Sequence, residues 1–320
     1  MGFLGSIFYE LLYWIYAGVN NYVLAIIIFT LIVKVLTVPI DFKQRKQSFM
    51  LKKLQPEMDS IKKRYGHDMK KYQEKIQELQ KGAGYSPLGG CLPLLLILPI
   101  FAGLYGAVQI MQKEQLAQML VNINSGITNP DQLFISFGWI RNIWAPDSML
   151  VAALPTMGDI NSIVSFTGPT HLAAGVLDQA RTIATSISGN EVALQQFLNN
   201  VSIEPTWGIT GALTLANASN GLFVLPIIGG VAAFFSQKIS MKAMPQTTDQ
   251  ANSTMKMMLY MMPLITVYIG ATSPAAFSFY WITSMLFSFI EQIIFMEYFK
   301  KKEEKEEKER AAAVNGGTKE

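Results

Sequence analysis

A single lysine interrupts the first long apolar run of the chain. Lys34 follows nine uncharged residues, Ala25 to Val33, and lies about six residues before Ile40. A charge at the bilayer centre costs about 2.5 to 3.5 kcal/mol on insertion scales, so an intramembrane lysine is a functional hypothesis. The alternative is snorkelling, in which the aliphatic stem carries the ammonium group to the nearby interface. For Lys34 taken alone, both interpretations stay open.

Polar side chains also occur in the other apolar runs. They are Thr30, Gln109, Ser236, Gln237, Thr283, Ser284, Glu291 and Gln292. Polar groups at membrane depth normally face protein or water. Hydrogen bonding between helices, worth roughly 0.6 kcal/mol per bond, explains each of them taken singly. Together with Lys34 they favour a hydrated, positively charged cavity open toward the cytoplasm.

The apolar runs are the elements that must position these side chains. Hydrophobic residues make up 50% of the 320 residues and charged residues 15%, and the mean hydropathy of +0.27 is too high for an ordinary soluble domain. Crossing a hydrocarbon core takes about 20 helical residues, and continuous apolar runs argue against a barrel. We predict an all-α polytopic membrane protein. Its five transmembrane helices are predicted at residues 22–41, 88–111, 222–240, 257–272 and 275–298, the fourth interrupted by Pro263.

Lys and Arg are unevenly distributed between the loops. Twelve of them lie between Lys43 and Lys81, whereas residues 112–221 carry only Lys113, Arg141 and Arg181. The positive-inside rule therefore places the loop 42–86 in the cytoplasm and the loop 112–221 outside, although long loops obey the rule weakly. We expect the amino terminus outside and the carboxyl terminus inside.

The segments between the spans carry their own patterns. Residues 1–18 show helical periodicity and lack Lys and Arg, which predicts an interfacial amphipathic helix rather than a cleaved signal; an ordinary first turn of span one is the alternative. The loop 42–86 reads as a helical hairpin that turns at residues 65–68. We predict a small helical insert within 112–221, a short cytoplasmic loop at 241–256, and a charged cytoplasmic tail at 299–320 that continues the last helix before fraying.

Lys34 and Glu291 lie at similar predicted depth, about two helical turns from the cytoplasmic ends of their runs. If their helices face each other, Glu291 partly neutralises Lys34 at rest. Alternatively, Glu291 snorkels to the interface.

Several kinds of site are excluded or disfavoured by the sequence. His67 and His171 are predicted on opposite sides of the membrane, which excludes a histidine metal site. The single Cys91 cannot form an internal disulfide, and we interpret it as a small buried hydrophobe. Nucleotide-binding Gly-rich loops and paired intramembrane Asp or His are missing from the sequence. We expect no enzyme activity, no catalytic residue, no metal and no cofactor.

Four blocks of sequence resemble the YidC/Oxa/Alb family of membrane-protein insertases. They are Ile26 to Pro39 (IIIFTLIVKVLTVP), Leu54 to Met58 (LQPEM), Pro87 to Ala102 (PLGGCLPLLLILPIFA) and Met262 to Gln292. The resemblance implies a cavity in the inner leaflet that is open to cytoplasm and lipid and closed to the outside. Relatives usually carry Arg where this chain has Lys34, so the charge is kept but the planar fork is lost.

The resemblance also assigns residues and partners. Thr30, Tyr280 and Trp281 match positions that line the family's substrate path, whereas Ile97 and Glu291 depart from its pattern. The predicted substrate groove consists of Lys34, Thr30, Gln109, Gln237, Tyr280, Trp281, Ser284 and Glu291. The implied function is nucleotide-independent insertion and folding of membrane proteins in a bacterial plasma membrane. Nascent membrane proteins, membrane lipids, and the ribosome and Sec translocon are the expected partners, with no specific nucleic acid.

Two other classes remain as alternatives. A small-molecule transporter or channel normally shows inverted repeats, and the spans here show no internal symmetry. A structural or assembly scaffold is the third hypothesis.

Overall fold

The computed structural model describes residues 3–84, 87–199, 201, 219–243 and 249–316, without the side chains of 87–97, 242–243, 249–256, 310–311 and 313–316. Residues 88–97 of the predicted span 88–111, which include Cys91 and Ile97, therefore have no described side chains. Parts of five predicted segments lie outside the described residues: 1–2 of the amino-terminal helix, 85–86 of the hairpin, 200 and 202–218 of the insert, 244–248 of the loop and 317–320 of the tail.

Within these limits every regular element is a helix, as predicted. The twelve helices are α1 Phe3–Val19, α2 Tyr22–Lys53, α3 Gln55–Tyr65, α4 Met69–Gly82, α5 Pro87–Asn124, α6 Pro130–Leu133, α7 Met157–Val164, α8 Val176–Ile187, α9 Glu191–Leu198, α10 Val224–Ala243, α11 Asp249–Thr272 and α12 Ala275–Gly316. The described residues include two isolated β-bridges and no strand.

Three described segments are long and apolar enough to cross a membrane. They are Tyr22–Lys53, Val224–Met241 and Ala275–Glu309, and the apolar segments Met257–Thr272 and Phe3–Val19 are shorter. Pro39 and Pro263 each lie inside a continuous helix, so Pro263 does not end α11. The spans 88–111 and 257–272 stay predictions.

The chain divides into two compact units. The first consists of residues 1–30, 97–231 and 264–283, and the second of residues 31–96, 232–263 and 284–320.

A buried carboxylate ties α1 to α5 within the first unit. Glu114 of α5 is 6% exposed and accepts hydrogen bonds from Tyr9 Oη at 2.7 Å, from Thr170 Oγ1 at 2.8 Å and from the backbone N–H of His171. The His171 ring stacks on Tyr13. Because a buried carboxylate needs several donors, this cluster fixes the amino-terminal helix against α5.

Helices α7, α8 and α9 share one hydrophobic core with the end of α5. The core includes Leu120 of α5, Ile160 of α7, Ala184 of α8 and Leu194 of α9. A reciprocal capping box between Thr156 and Asp159 starts α7.

The start of α10 is held by a second buried carboxylate of the first unit. Asp147 is fully buried and accepts hydrogen bonds from the backbone N–H groups of Leu222 at 2.9 Å, Phe223 at 3.2 Å and Leu225 at 2.7 Å. A Cβ atom at Gly221 would overlap Asp147 Oδ1, so only glycine fits there. Asp147 thus supplies the cap that the free N–H groups of a helix start require.

Two features organise the second unit. In the hairpin, α3 and α4 pack through Met58, Tyr72 and Ile76, and Asp68 caps α4 by accepting from the N–H groups of Lys70 and Lys71. The ring of Phe299 in α12 stacks on Phe42 and on Phe49 of α2. These ring contacts hold α2 and α12 side by side in this unit.

Candidate functional site

Lys34 reaches from α2 to α12 within the second unit. Its Nζ donates a hydrogen bond to Ser288 Oγ at 2.7 Å, and its side chain is half-buried. Among the described residues Ser288 is the only hydrogen-bond partner of this ammonium group, which has three donor protons. The remaining donors can therefore bind water or an anionic ligand.

A second cation converges on the same turn of α12. Arg45 Nη2 donates to the carbonyl oxygen of Ser288 at 3.3 Å, and its guanidinium lies 5.9 Å from the ring centroid of Phe295. Ser288 thus accepts one hydrogen bond from Lys34 through its hydroxyl oxygen and one from Arg45 through its carbonyl oxygen. The arrangement concentrates two positive charges at one position between two apolar helices.

Glu291 follows Ser288 by one helical turn and is 6% exposed. Neither of its carboxylate oxygens has a hydrogen-bond partner in the described part of the chain. No ion pair joins Lys34 to Glu291, although both side chains are described. The structure therefore shows no direct contact by which Glu291 would neutralise Lys34, because Lys34 bonds to Ser288 instead.

Sequence reasoning missed Asp41, Arg45 and Ser288 as members of this cluster. Asp41 and Arg45 follow Lys34 at spacings of two and three helical turns, so all three share one face of α2. The charge pattern indicates Arg45 only as one of the basic residues of the cytoplasmic loop. The helical spacing could have identified both residues had the helix been extended to Lys53, where α2 ends.

Two more predicted residues belong to the second unit. Gln237 of α10 and Ser284 of α12 are half-buried. A hydrogen bond of 3.4 Å from Gln292 Nε2 to Ser240 Oγ links these two helices. Lys34, Gln237, Ser284 and Glu291 are therefore assigned to one compact unit.

The other four predicted residues belong to the first unit. Thr30 is fully buried and its Oγ1 donates to the carbonyl oxygen of Ile26 in its own helix, which is a common way for threonine to satisfy its hydroxyl in a membrane helix. Tyr280 is buried, and Trp281 packs edge-on against Phe101 with ring centroids 5.8 Å apart. Gln109 lines a cavity of about 440 Å³. These side chains form no described cluster with Lys34.

The described residues contain no group of three His, Cys, Asp or Glu side chains placed to hold a metal ion.

Comparison with known proteins identifies the family. The family model described as "60Kd inner membrane protein" matches residues 14–303. The chain belongs to the 60Kd inner membrane protein family. Its relatives carry the name of the family that the four sequence blocks resemble, so that resemblance is confirmed. Together with its apolar helices, this membership makes the protein a membrane-embedded, multi-pass helical protein.

Relatives of very different length share this similarity. A protein of Fusobacterium nucleatum called "Membrane protein insertase YidC" is 25% identical over 87% of this chain and 88% of its own length. Proteins of the same name from Paracoccus denitrificans and Cereibacter sphaeroides are 26% identical over 92% of this chain. The chain spans only about a third of their length, 35% and 36% respectively.

Proposed function

We propose that this protein is a membrane protein insertase that receives hydrophobic segments of other polypeptides from the cytoplasm and releases them into the bilayer. Its family membership and the insertase name of its relatives support this function. The observation that carries the proposal is the cluster in which Lys34 and Arg45 converge on Ser288 beside the buried Glu291. A charged cluster between apolar helices is suited to hold a polar segment at membrane depth.

The proposed mechanism separates the polar and the apolar parts of a client. Lys34 attracts the short hydrophilic tail that precedes the client's transmembrane segment, and the apolar segment leaves sideways into lipid. Each Leu, Ile or Phe in that segment gains roughly 0.3 to 0.6 kcal/mol on insertion scales. A segment of about 20 such residues therefore supplies several kcal/mol, and no nucleotide is required.

The proposed client-binding cluster consists of residues of the second unit: Lys34, Gln237, Ser284 and Glu291, joined by Asp41, Arg45 and Ser288. The proposed topology has the amino terminus outside, the hairpin α3–α4 and the carboxyl terminus in the cytoplasm, and the insert α7–α9 outside. The exposed charges of the hairpin are suited to contacts with the ribosome, with the Sec translocon and with lipid headgroups.

We expect the purified full-length protein, reconstituted into lipid vesicles, to insert a purified single-span client that is diluted from denaturant without nucleotide. The fraction of client tails protected from added protease should rise several-fold over protein-free vesicles, because insertion is driven by hydrophobic burial. Equal protection in both kinds of vesicle would refute the insertase function. Uptake of small solutes without tail protection would favour a transporter instead.

Cysteine labelling tests the proposed topology. In a Cys91→Ala background, Val192→Cys should react with a membrane-impermeant maleimide in intact cells, because the proposed topology puts α9, Glu191–Leu198, outside. His67→Cys should react only after the membrane is permeabilised, because the positive-inside rule places the basic hairpin in the cytoplasm. Both positions are exposed, so burial does not confuse the readout. The reverse labelling at either position contradicts the orientation.

A further inference from the structure

The first unit contains a cavity whose lining includes none of Lys34, Arg45 and Glu291. Its volume is about 440 Å³, and it lies between α5, the segment that precedes α7, and the turn that joins α11 to α12. The wall of the cavity includes Gln109 and Lys113 of α5, Trp144 of the segment before α7, and Asp159 of α7. This volume falls within the range of small-molecule sites.

Trp144 lines this cavity and carries a buried donor that has no partner among the described residues. Trp144 is 4% exposed, and its Nε1–H has no hydrogen-bond partner in the described part of the chain. The residue is otherwise firmly held, since its carbonyl oxygen accepts from Gln112 Nε2 at 3.0 Å and its ring meets Tyr22 edge-on. A buried donor without a partner is unfavourable, so a ligand with an acceptor atom fits this place.

The two charged residues that line the cavity differ in how they are engaged. Asp159 Oδ2 accepts from the backbone N–H of Thr156 at 2.8 Å and from its hydroxyl at 2.7 Å, so this carboxylate serves as part of a helix cap. Lys113 forms no ion pair with any described residue, and its Nζ lies 5.3 Å from the ring centroid of Phe166. Burial lowers the pKa of Lys113, and an anion beside it would offset that shift.

We propose that this cavity binds the phosphate-bearing headgroup of a membrane phospholipid, with Lys113 and Trp144 donating to its phosphate oxygens. Asp159 already accepts two hydrogen bonds from Thr156, whereas the ammonium group of Lys113 has no acceptor among the described residues, so the free donors of this cavity fit an anion. Apolar side chains of the same wall, Leu116, Met119 and Val151, provide contacts for the upper part of an acyl chain. The turn between the two apolar helices α11 and α12 also lines the cavity through Thr272 and Pro274, which places lipid within reach.

Native mass spectrometry of the full-length protein in detergent, titrated with phosphatidylglycerol, tests this site. Lys113→Gln should weaken the tightest lipid-binding step by about tenfold or more, the scale of one charge-assisted hydrogen bond. Lys113→Arg should retain binding, because it keeps the charge and the donors. Trp144→Phe should weaken binding by about threefold to tenfold, because it removes one neutral donor and keeps most of the ring.

Two matched variants test whether the loss depends on the position of the removed charge and on its sign. Lys238 also lies beside a phenylalanine ring, at 5.9 Å from the Phe234 centroid, but does not line this cavity. Lys238→Gln should therefore leave the tightest step unchanged. Asp159→Asn removes the negative charge and should leave binding of an anion unchanged or make it tighter.

Four results would overturn the proposal. Equal losses in Lys113→Gln and Lys238→Gln would indicate non-specific charge attraction, and no loss in Lys113→Gln would remove the site altogether. Loss of binding in Asp159→Asn alone would show that this carboxylate, and not Lys113, holds the lipid. Displacement of the lipid by millimolar inorganic phosphate, or by a short acidic peptide, would assign the cavity to a soluble anion. The titration contains no client protein, so its outcome is independent of insertase activity.

Discussion

Replacing Lys34 by alanine is expected to reduce insertion of clients with an acidic translocated tail by at least about tenfold, which corresponds to about 1.4 kcal/mol. Two opposite unit charges 4 Å apart attract by about 1 kcal/mol in water and about 4 kcal/mol at an effective dielectric constant of 20. A half-buried ammonium group between apolar helices lies closer to the second case. Protease protection of acidic-tail and neutral-tail clients in reconstituted vesicles measures the effect.

The comparison between clients separates electrostatic capture from a structural role. Clients with uncharged tails should lose less, because Arg45 and the other polar groups keep the cluster hydrated. Lys34→Arg should insert both kinds of client, because it keeps the charge. Lys238→Ala removes a lysine of the same unit that lies outside the cluster, and it should insert acidic tails normally.

If Lys34→Ala inserts acidic and neutral tails equally well, electrostatic capture is wrong. Lys34 would then be a snorkelling anchor whose ammonium group reaches the interface.

Replacing Asp147 by alanine is expected to destabilise the first unit by about 3 to 5 kcal/mol, because each buried donor left without an acceptor costs about 1 to 3 kcal/mol. The substitution leaves three backbone N–H groups at the start of α10 and the indole N–H of Trp139 without their acceptor. Unfolding of the purified protein in detergent, followed by tryptophan fluorescence, should show a clearly lower Tm. Trp139 reports directly, because it contacts Asp147.

Asp131→Ala provides the matched control for this effect. Asp131 is an exposed aspartate in the first turn of the short helix α6 of the same unit. Its removal should change stability by less than about 0.5 kcal/mol, as is usual for surface substitutions. Similar losses in both variants would show that Asp147 does not act as the cap of α10.

Several features could be predicted from the sequence because they depend on local pattern. Apolar runs predicted the helices that begin at Tyr22, Val224 and Ala275 within two residues of their observed starts. Helix ends were harder to predict. The continuation of α12 into the charged tail was predicted, but α2 continues to Lys53, beyond its predicted end at residue 41. Lys, Arg and Gln are good helix formers, and a helix does not stop where its apolar face stops.

The candidate site was only partly accessible from the sequence. Lys34 was recognisable because a charge within an apolar run is visible without any structure. Its hydrogen-bond partner was not recognisable from the sequence. Ser288 and Glu291 lie one turn apart on α12, and the rotation of that helix decides which of them contacts the ammonium group. Asp41 and Arg45 could have been found from their helical spacing.

What the sequence by itself determined is the all-α class, several spans, and the position of the intramembrane charge, because helix formation and lipid burial depend on residues close together in the chain. Only the tertiary structure decided which polar groups meet. The Asp147 cap on α10 bridges about 75 residues, and Glu114 joins α1 to the segment before α8. Such contacts depend on how helices distant in the chain pack together. Hydrophobic burial is non-directional, so the pattern of apolar residues alone does not specify this packing.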